Sequence, residues 1–520
     1  MAILSSIIAR SVKLRKLFSK KQAEPIVYQS NTLRFLIDKG QYTLFGKEYG
    51  FGKMLEHSTD LLTTFRNSIP YYNYDSIYKR WWHKCQEGIE NVCWPGTVKY
   101  FALSSGTSES ASKHIPVTGD MIKSIKKVGF KQFYTMTNFK IPTQTWSKGI
   151  LMLGGTTSLF DRGDYYEGDM SGISAKNMPT WASNLFYKPG QKISKEPNWE
   201  DRIQLIVENA PNWDIGTLCG VPAWAQIVLD KIMKRYNLTS IHDIWPNLSV
   251  YIHGGVSFEP YRENFKQFFK KDVTFVETYM ASEGSFGFMA RPGGGIKLVL
   301  NAGIFYEFVP FNDNNFDENG DIYQSARSYL VNEVQEGVSY AVVISTCAGA
   351  WRYLIGDVVE FTNAAEHEIK IVGRTKQFLS LCGEHTSIDN LNKTINILNR
   401  KLKANIKEFT VAGYPYENLF AHTWYIGSDD PIDKDLALKI IDETLCELND
   451  DYAVERTSAL KEVFLEVLPT KVFIDYLKYT GKYGAMNKFP RVLKGARYED
   501  WKHFIRQAQA ADKNGGSALN

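Results

Sequence analysis

The chain has 520 residues, of which 44% are hydrophobic and 23% charged, with a formal net charge of +4. That length exceeds one ordinary core and suits two domains, and the composition excludes disordered and fibrous classes. Lys and Arg are interspersed with Asp and Glu instead of forming a stripe, so no nucleic acid is expected as a partner.

At the start, an apolar run over residues 3–9 precedes Arg10, Lys13, Arg15 and Lys16. A secretory signal carries its positive charge ahead of the apolar stretch, so this order reads as a first helix packed on the domain, with a basic amphipathic helix resting on a membrane surface as the alternative. Residues 32–39 and 76–87 are predicted helical. A strand then leads into a polar cluster at 104–108. Short β-rich runs follow at 149–153, 248–253, 273–278 and 340–346, alternating with helical patterns at 222–236 and 261–269. Gly293, Gly294 and Gly295 read as a turn between strands. The alternation predicts an α/β architecture with substantial sheet.

After Gly373 and Arg374 the texture changes. A helix is predicted over 386–402, strands near 408–413 and 422–426, a helix over 435–448, then a strand (459–469) and a helix (471–477). The expected division is a large domain, 1–380, a small α+β domain, 381–507, and a frayed tail, 508–520. No stretch reaches about eighteen uninterrupted apolar residues, so no integral membrane span is expected. The six cysteines lack C-x-x-C spacing and read as reduced thiols of a cytoplasmic protein.

Three motifs carry chemistry. Ser104-Ser105-Gly106-Thr107-Ser108, with Lys113 after it, ends a strand in hydroxyl and backbone donors around a glycine, which suits a phosphate. It also fits a polar turn capping a helix. Within the same stretch Ser110 and Lys113 satisfy the S-x-x-K spacing of serine acyl-enzymes, without that class's companion motifs. Next, Tyr279-Met280-Ala281-Ser282-Glu283-Gly284 follows an apolar strand. Tyr279 could stack on a flat ring, and Glu283 could hold Mg²⁺ between phosphates or be a solvated strand end. Third, Trp351-Arg352-Tyr353-Leu354-Ile355-Gly356-Asp357 puts an Asp at the start of a strand, placed to accept from two ribose hydroxyls or to form a turn.

The order of these motifs, with Gly373-Arg374 behind them, resembles the adenylate-forming superfamily. More closely, it is similar to the acyl-acid amido synthetases of the auxin-responsive Gretchen Hagen family. The segment from Gly303 to Pro310, the approach to the third motif from Tyr340 to Thr346, and Lys488-Phe489-Pro490-Arg491 extend the likeness over about residues 95–495. The resemblance implies an ATP- and Mg²⁺-using ligase that activates a carboxylic acid as acyl-AMP and transfers the acyl group to an amine, an amino acid foremost. It implies a large adenylate-forming domain of β-sheets flanked by helices and a small mobile C-terminal domain.

By the same resemblance Ser104, Ser105, Gly106, Thr107, Ser108 and Lys113 would bind the ATP phosphates. Gly254, Gly255 and Val256 would line the adenine and acyl pocket, Tyr279 would flank adenine, and Met280 and Ala281 would face the acyl group. Glu283 would assist Mg²⁺, Asp357 would grip the ribose, Arg374 would precede the hinge, and Lys488 would reach the carboxylate and α-phosphate. Plant members place a Lys in the hinge where this chain has His385, and Lys376 is an alternative phosphate donor. Residues 158–224 also differ from plant members. A coenzyme A acceptor and a catalytically silent nucleotide binder are the competing readings of the same fold.

Overall fold

A computed structural model describes residues 23–105, 112–255, 258, 261–317, 320–375, 378–379, 381–384, 386–406, 408–480 and 489–513. The chain divides into two compact units, Met1–Ser104 with Lys113–Lys376, and Ser105–Ser112 with Gln377–Asn520.

In the larger unit the first helix, α1 (Pro25–Gly40), starts with Pro in its first turn, where the missing N–H costs nothing. Its buried Leu33, Leu36, Ile37 and Gly40 recur at helical spacing, so one stripe faces the core. Gln29 on that stripe donates to the carbonyls of Leu300 and Ile304 at 2.7 and 3.1 Å and accepts from the Tyr306 amide at 2.7 Å, tying the helix to the sheet.

The strands are β1 (Tyr100–Ser105), β2 (Ser112–Val117), β3 (Gly149–Met152), β4 (Phe160–Asp161), β5 (Tyr166–Gly168), β6 (Tyr187–Lys188), β7 (Ile215–Cys219) and β8 (Val250–Gly254). They continue as β9 (Thr274–Ala281), β10 (Gly284–Met289), β11 (Ile296–Leu298), β12 (Ile304–Pro310), β13 (Ser339–Thr346), β14 (Tyr353–Asn363) and β15 (Glu368–Arg374). Among the described residues eleven of them form one sheet, in the order β12-β13-β14-β15-β11-β10-β9-β8-β7-β3-β6. Four more form a second sheet, β2-β1-β5-β4.

The large sheet is parallel from β6 to β9 and antiparallel from β9 to β12. The changeover falls at β9, whose carboxyl end turns back through Ser282 and Glu283 into β10. Helices α2 (Gly119–Thr135) and α3 (Pro222–Arg235) start from a Thr118 cap and a Pro at the first position respectively. The core between α1, the following short helices and the antiparallel half is aromatic: Phe45, Phe51, Trp81, Trp82, Trp351 and Tyr353 are all buried.

The smaller unit holds a β-ribbon of β16 (Phe378–Leu379) and β17 (Thr386–Ser387), and a sheet of β18 (Glu408–Tyr416), β19 (Leu419–Gly427), β20 (Leu460–Leu468) and β21 (Val492–Leu493), ordered β20-β19-β18-β21. Its helices are α4 (Ile388–Leu402), α5 (Lys434–Leu448), α6 (Thr470–Tyr479) and α7 (Gly495–Lys513). Phe473, Tyr476, Phe489, Trp501 and Phe504 form a core against Tyr425.

The α/β class holds, with sheets flanked by helices. Three local expectations change. The strand read as 273–278 runs on to Ala281, so Tyr279, Met280 and Ala281 are strand residues. The helix expected over 261–269 is the short Arg262–Lys266. The tail expected from residue 508 is helical through Lys513. The expected first helix within residues 1–21 lies outside the described residues.

Candidate active site

The site grows from two strands that are far apart in sequence. Tyr279, near the carboxyl end of β9, is 4% exposed and donates its hydroxyl to Asp357 Oδ2 at 2.6 Å. Asp357 sits inside β14, not at the start of a strand, opposite Arg374 on β15. Arg374 Nη1 meets Asp357 Oδ1 at 2.7 Å. The pairing of β13 with β14 jumps from Val343–Leu354 to Ala341–Val358, so the stretch holding Asp357 bulges out of the ladder. Gly356 makes this possible: its φ of +93° belongs to glycine.

A second tyrosine–carboxylate pair crosses the first. Tyr353 on β14 is 1% exposed and donates to Glu283 Oε1, in the turn after β9, at 3.2 Å. Each strand thus lends a tyrosine to the other's carboxylate. Burial raises the Glu283 carboxyl above its ordinary range, while the charges of Lys113 and Arg374 pull it back down. Burial, then the neighbouring carboxylate, lifts both phenols well out of the physiological range, so Tyr279 and Tyr353 are donors throughout. Burial alone would lower the Arg374 guanidinium, but Asp357, Tyr279 and Glu283 outweigh it and keep the group firmly cationic.

Lys113 leaves β2 with its ammonium 5.4 Å from the Tyr74 ring centre, near enough to Glu283 to influence its charge. The Tyr74 hydroxyl accepts from the neighbouring His114 amide at 2.9 Å, fixing that edge. Gly254 ends β8 opposite Thr278, and a Cβ there would run into the Thr278 carbonyl, so the two strand ends approach closely. Gly255 follows at φ +85° beside Val221. Met280 is 39% exposed, while Ala281 packs on the core.

The structure therefore brings together Lys113, Tyr279, Glu283, Asp357 and Arg374, with Gly254 and Gly255 at the adjoining strand end. Ser104 is a half-buried residue of β1, and Ser105 contributes backbone to the same strand. Gly106, Thr107, Ser108, Ser110, Val256, Lys376, His385 and Lys488 lie outside the described residues.

Sequence reasoning passed over Tyr353 and Tyr74. Tyr353 stands within the third motif, and an aromatic two strand repeats before Asp357 was the available signal. Two other members of that motif are scaffold. Trp351 is fully buried on Phe45 and Phe51 and donates to the Cys93 carbonyl at 3.1 Å. Arg352 is buried, pairs with Glu307 at 2.9 Å, and donates to the carbonyls of Arg66 and Ile69, each at 2.6 Å.

Ligands of open α/β sheets bind at the carboxyl edge of the parallel strands, near the point where strand order changes. The crossed pairs stand at that edge. The fold is that of adenylate-forming enzymes. An acyl acid amido synthetase, GH3.15, superposes over 96% of both chains with a TM-score of 0.57 at 15% identity. A 2-hydroxyisobutyryl-CoA ligase superposes over 93% of this chain and 92% of its own with a TM-score of 0.58 at 11% identity.

Residues 14–207 and 131–274 match the GH3 family N-terminal domain, and residues 297–374 match the GH3 family central domain. The chain belongs to the GH3 family, the Gretchen Hagen family of the sequence resemblance. A jasmonoyl–L-amino acid synthetase of Nicotiana attenuata is 23% identical over 453 residues, 74% of this chain and 75% of that one. An indole-3-acetic acid-amido synthetase of Arabidopsis thaliana is 28% identical over 172 residues, 31% of this chain and 30% of that one.

Proposed function

We propose that this GH3-family ligase activates a carboxylic acid with ATP and passes the acyl group to the amine of an amino acid. The observation that carries the reading is the crossed arrangement Tyr279–Asp357–Arg374 and Tyr353–Glu283, with Lys113 close by, at the carboxyl edge of the sheet. Family membership and the named synthetases support it.

A carboxylate resists amines because oxide is a poor leaving group. In the first half-reaction an oxygen of the acid bonds to the α-phosphorus of ATP and pyrophosphate leaves. In the second the amine nitrogen bonds to the acyl carbon, AMP leaves, and the amine proton passes to water or to the departing phosphate. The protein's part is to align reactants and answer charge.

Asp357 has about four lone-pair sites. Tyr279 and Arg374 take one on each oxygen, which leaves the others to accept from ribose hydroxyls. We assign Tyr279 a positioning role toward Asp357 alongside its place beside adenine. Lys113 and Arg374 supply positive charge toward the phosphates. Met280, exposed at the strand end, and Ala281 face the acid, with Gly254 and Gly255 leaving room for it.

Mg²⁺, when bound, neutralises phosphate charge. Glu283 fits such an ion, which takes one or two carboxylates and completes its shell from phosphates and water. Among the described residues no cluster of three or more His, Cys, Asp or Glu offers an all-protein cage. We assign ATP and acid binding to a domain of residues 1–380 and treat 381–507 as the small C-terminal domain. Thr107 and Lys488 keep the phosphate-contacting roles that the family pattern gives them, and at the hinge, where that pattern has a Lys, His385 or Lys376 takes the contact.

No helix among the described residues is long and apolar enough to cross a membrane, and all six cysteines are free, which supports a reducing, cytoplasmic setting.

The test is ATP–pyrophosphate exchange against indole, benzoate, jasmonate-like, fatty and amino acids. Exchange with one class names the acid, and discharge of the adenylate by amino acids but not by coenzyme A names the acceptor. Binding of ATP without exchange with any acid would overturn the reading.

A further inference from the structure

A cavity of about 660 Å³ lies in the larger unit where α2 ends, lined among others by Tyr28, Lys131, Tyr134, Phe288, Val299 and Asn301. It is separate from the crossed carboxylates. β10 leaves the Glu283 turn at Gly284 and reaches the cavity at Phe288 and Ala290. Six residues of strand at about 3.4 Å each put the two roughly 20 Å apart, at opposite edges of the sheet.

The wall carries two carboxylates, Glu24 and Glu366, and two ammonium groups, Lys131 and Lys297, and of these only Lys297 and Glu366 form an ion pair among the described residues. Lys131 is half-buried, donates to the Asn301 side-chain oxygen, and has no carboxylate within ion-pair distance among the described residues. Two other cations stand near it, and one of them has a carboxylate partner. Lys127 donates to the Asn301 carbonyl at 2.5 Å, and Lys297 pairs with Glu366 at 2.6 Å. Glu24, also on the wall, is exposed and makes no ion pair with Lys131. His367 adds no positive charge, because burial and then Lys297 hold its imidazole below its ordinary value. Burial first, and Lys127 second, push the Lys131 ammonium down to about 8. A half-buried cation beside a like charge and without an ion-pair partner among the described residues is costly, and a carboxylate placed against it would lower the cost.

The walls define the rest of the ligand. Phe288 and Val299 are buried apolar side chains beside the rings of Tyr28 and Tyr134. Such a volume, with aromatic and aliphatic side chains set among polar ones and Lys131 on its wall, is the size of a small-molecule site. For a doubly charged phosphate the wall offers, among the described residues, one ammonium outside an ion pair, whereas a carboxylate on an apolar body suits Lys131 and the rings beside it. We propose that this cavity is a second ligand site, taking an aromatic or branched monocarboxylate whose carboxylate pairs with Lys131.

The experiment reads Lys131 itself. The full chain is treated at pH 8 with the N-hydroxysuccinimide ester of acetic acid, and acetylation is followed by peptide mass spectrometry at Lys131 and at Lys123, which is 79% exposed. Phenylacetate at ten times its dissociation constant leaves about a tenth of the site free, so acetylation of Lys131 should slow about tenfold while Lys123 is unaffected. Phenylacetate held at the catalytic site does not confound this, because the readout is local. Equal rates at Lys131 with and without phenylacetate would overturn the proposal. Equal protection by inorganic phosphate would also overturn it, since the site would then bind any oxyanion. As a second measure, equilibrium dialysis should lose one phenylacetate site in Lys131→Met, with an unchanged thermal midpoint showing that the fold is kept.

Discussion

The Tyr353 hydroxyl donates to Glu283 at 3.2 Å across seventy residues of chain, and both side chains lie beside the Asp357–Arg374 pair. The tyrosine is pinned by burial, with its ring 5.4 Å from that of Trp82. The carboxylate is therefore held by a donor that cannot swing away. Its position, more than its identity, suits it to meet a metal–nucleotide complex.

Tyr353→Phe keeps the ring and removes only that donor. A hydrogen bond to a charged group contributes roughly 1.5–3 kcal/mol. Pyrophosphate exchange should fall by roughly ten- to a hundredfold, with the thermal midpoint nearly unchanged. Full exchange activity in this variant would remove the Tyr353–Glu283 bond from the mechanism.

Lys113→Met tests the charge balance around Glu283. Burial already raises that carboxyl, and Lys113 is the largest of the influences opposing it. Without Lys113 the carboxyl titrates at higher pH still. If Glu283 acts as proposed, activity needs the ionised form and is lost as pH falls through that value. The acid limb of the exchange profile should therefore move to higher pH in the variant; a limb that stays put or moves down would contradict the assigned role of Glu283.

Arg352 and Glu307 are 5% and 1% exposed, and their pairing at 2.9 Å is reinforced by the Ser328 hydroxyl donating to Glu307 at 2.6 Å. Removing one partner leaves a buried, uncompensated charge. Arg352→Met should destabilise the larger unit by about 3–5 kcal/mol, and adding Glu307→Leu should recover part of the loss. Urea unfolding followed by tryptophan fluorescence measures both.

In the smaller unit Glu384 is fully buried and accepts from His422 Nε2 at 3.0 Å and from the backbone amides of Leu381, Cys382 and Gly383 at 2.9–3.1 Å. Burial alone would raise the carboxyl, but His422 and those amides outweigh it and bring the group from 4.5 down to about 2. A depressed carboxyl stabilises the fold above its unfolded value and loses that contribution as pH falls through the folded one. The difference corresponds to on the order of 3 kcal/mol at neutral pH. Glu384→Gln should lower stability by about that much at pH 7, and the gap to the wild type should close between pH 4.5 and 2. A gap constant with pH would show that shape, not charge, makes Glu384 important.

Local signals in the chain were read well. The stripe Leu33, Leu36, Ile37 and Gly40 marks α1 because helical spacing is a property of neighbours. Pro222 opens α3 because only the first turn tolerates its missing N–H. Glu283 and Asp357 stood out because each follows or precedes glycine at the edge of an apolar strand. Asp357 was nonetheless misplaced at a strand start. The bulge that carries it arises from pairing between β13 and β14, and pairing leaves no periodic trace in either strand.

Sequence by itself was enough for the α/β class and the family, and it singled out Glu283 and Asp357 as candidates, since composition, spacing and motif order are written along the chain. Only the tertiary structure decided that Tyr279 serves Asp357 and Tyr353 serves Glu283, and that Arg352 pins the scaffold. It also decided that Lys131 stands on a cavity wall without an ion-pair partner among the described residues. Each of these depends on groups that meet only after β9, β14 and β15 enter one sheet and α2 packs against it. Hydrogen-bond geometry and desolvation act at distances of a few ångströms, and folding alone sets which distant residues come that close.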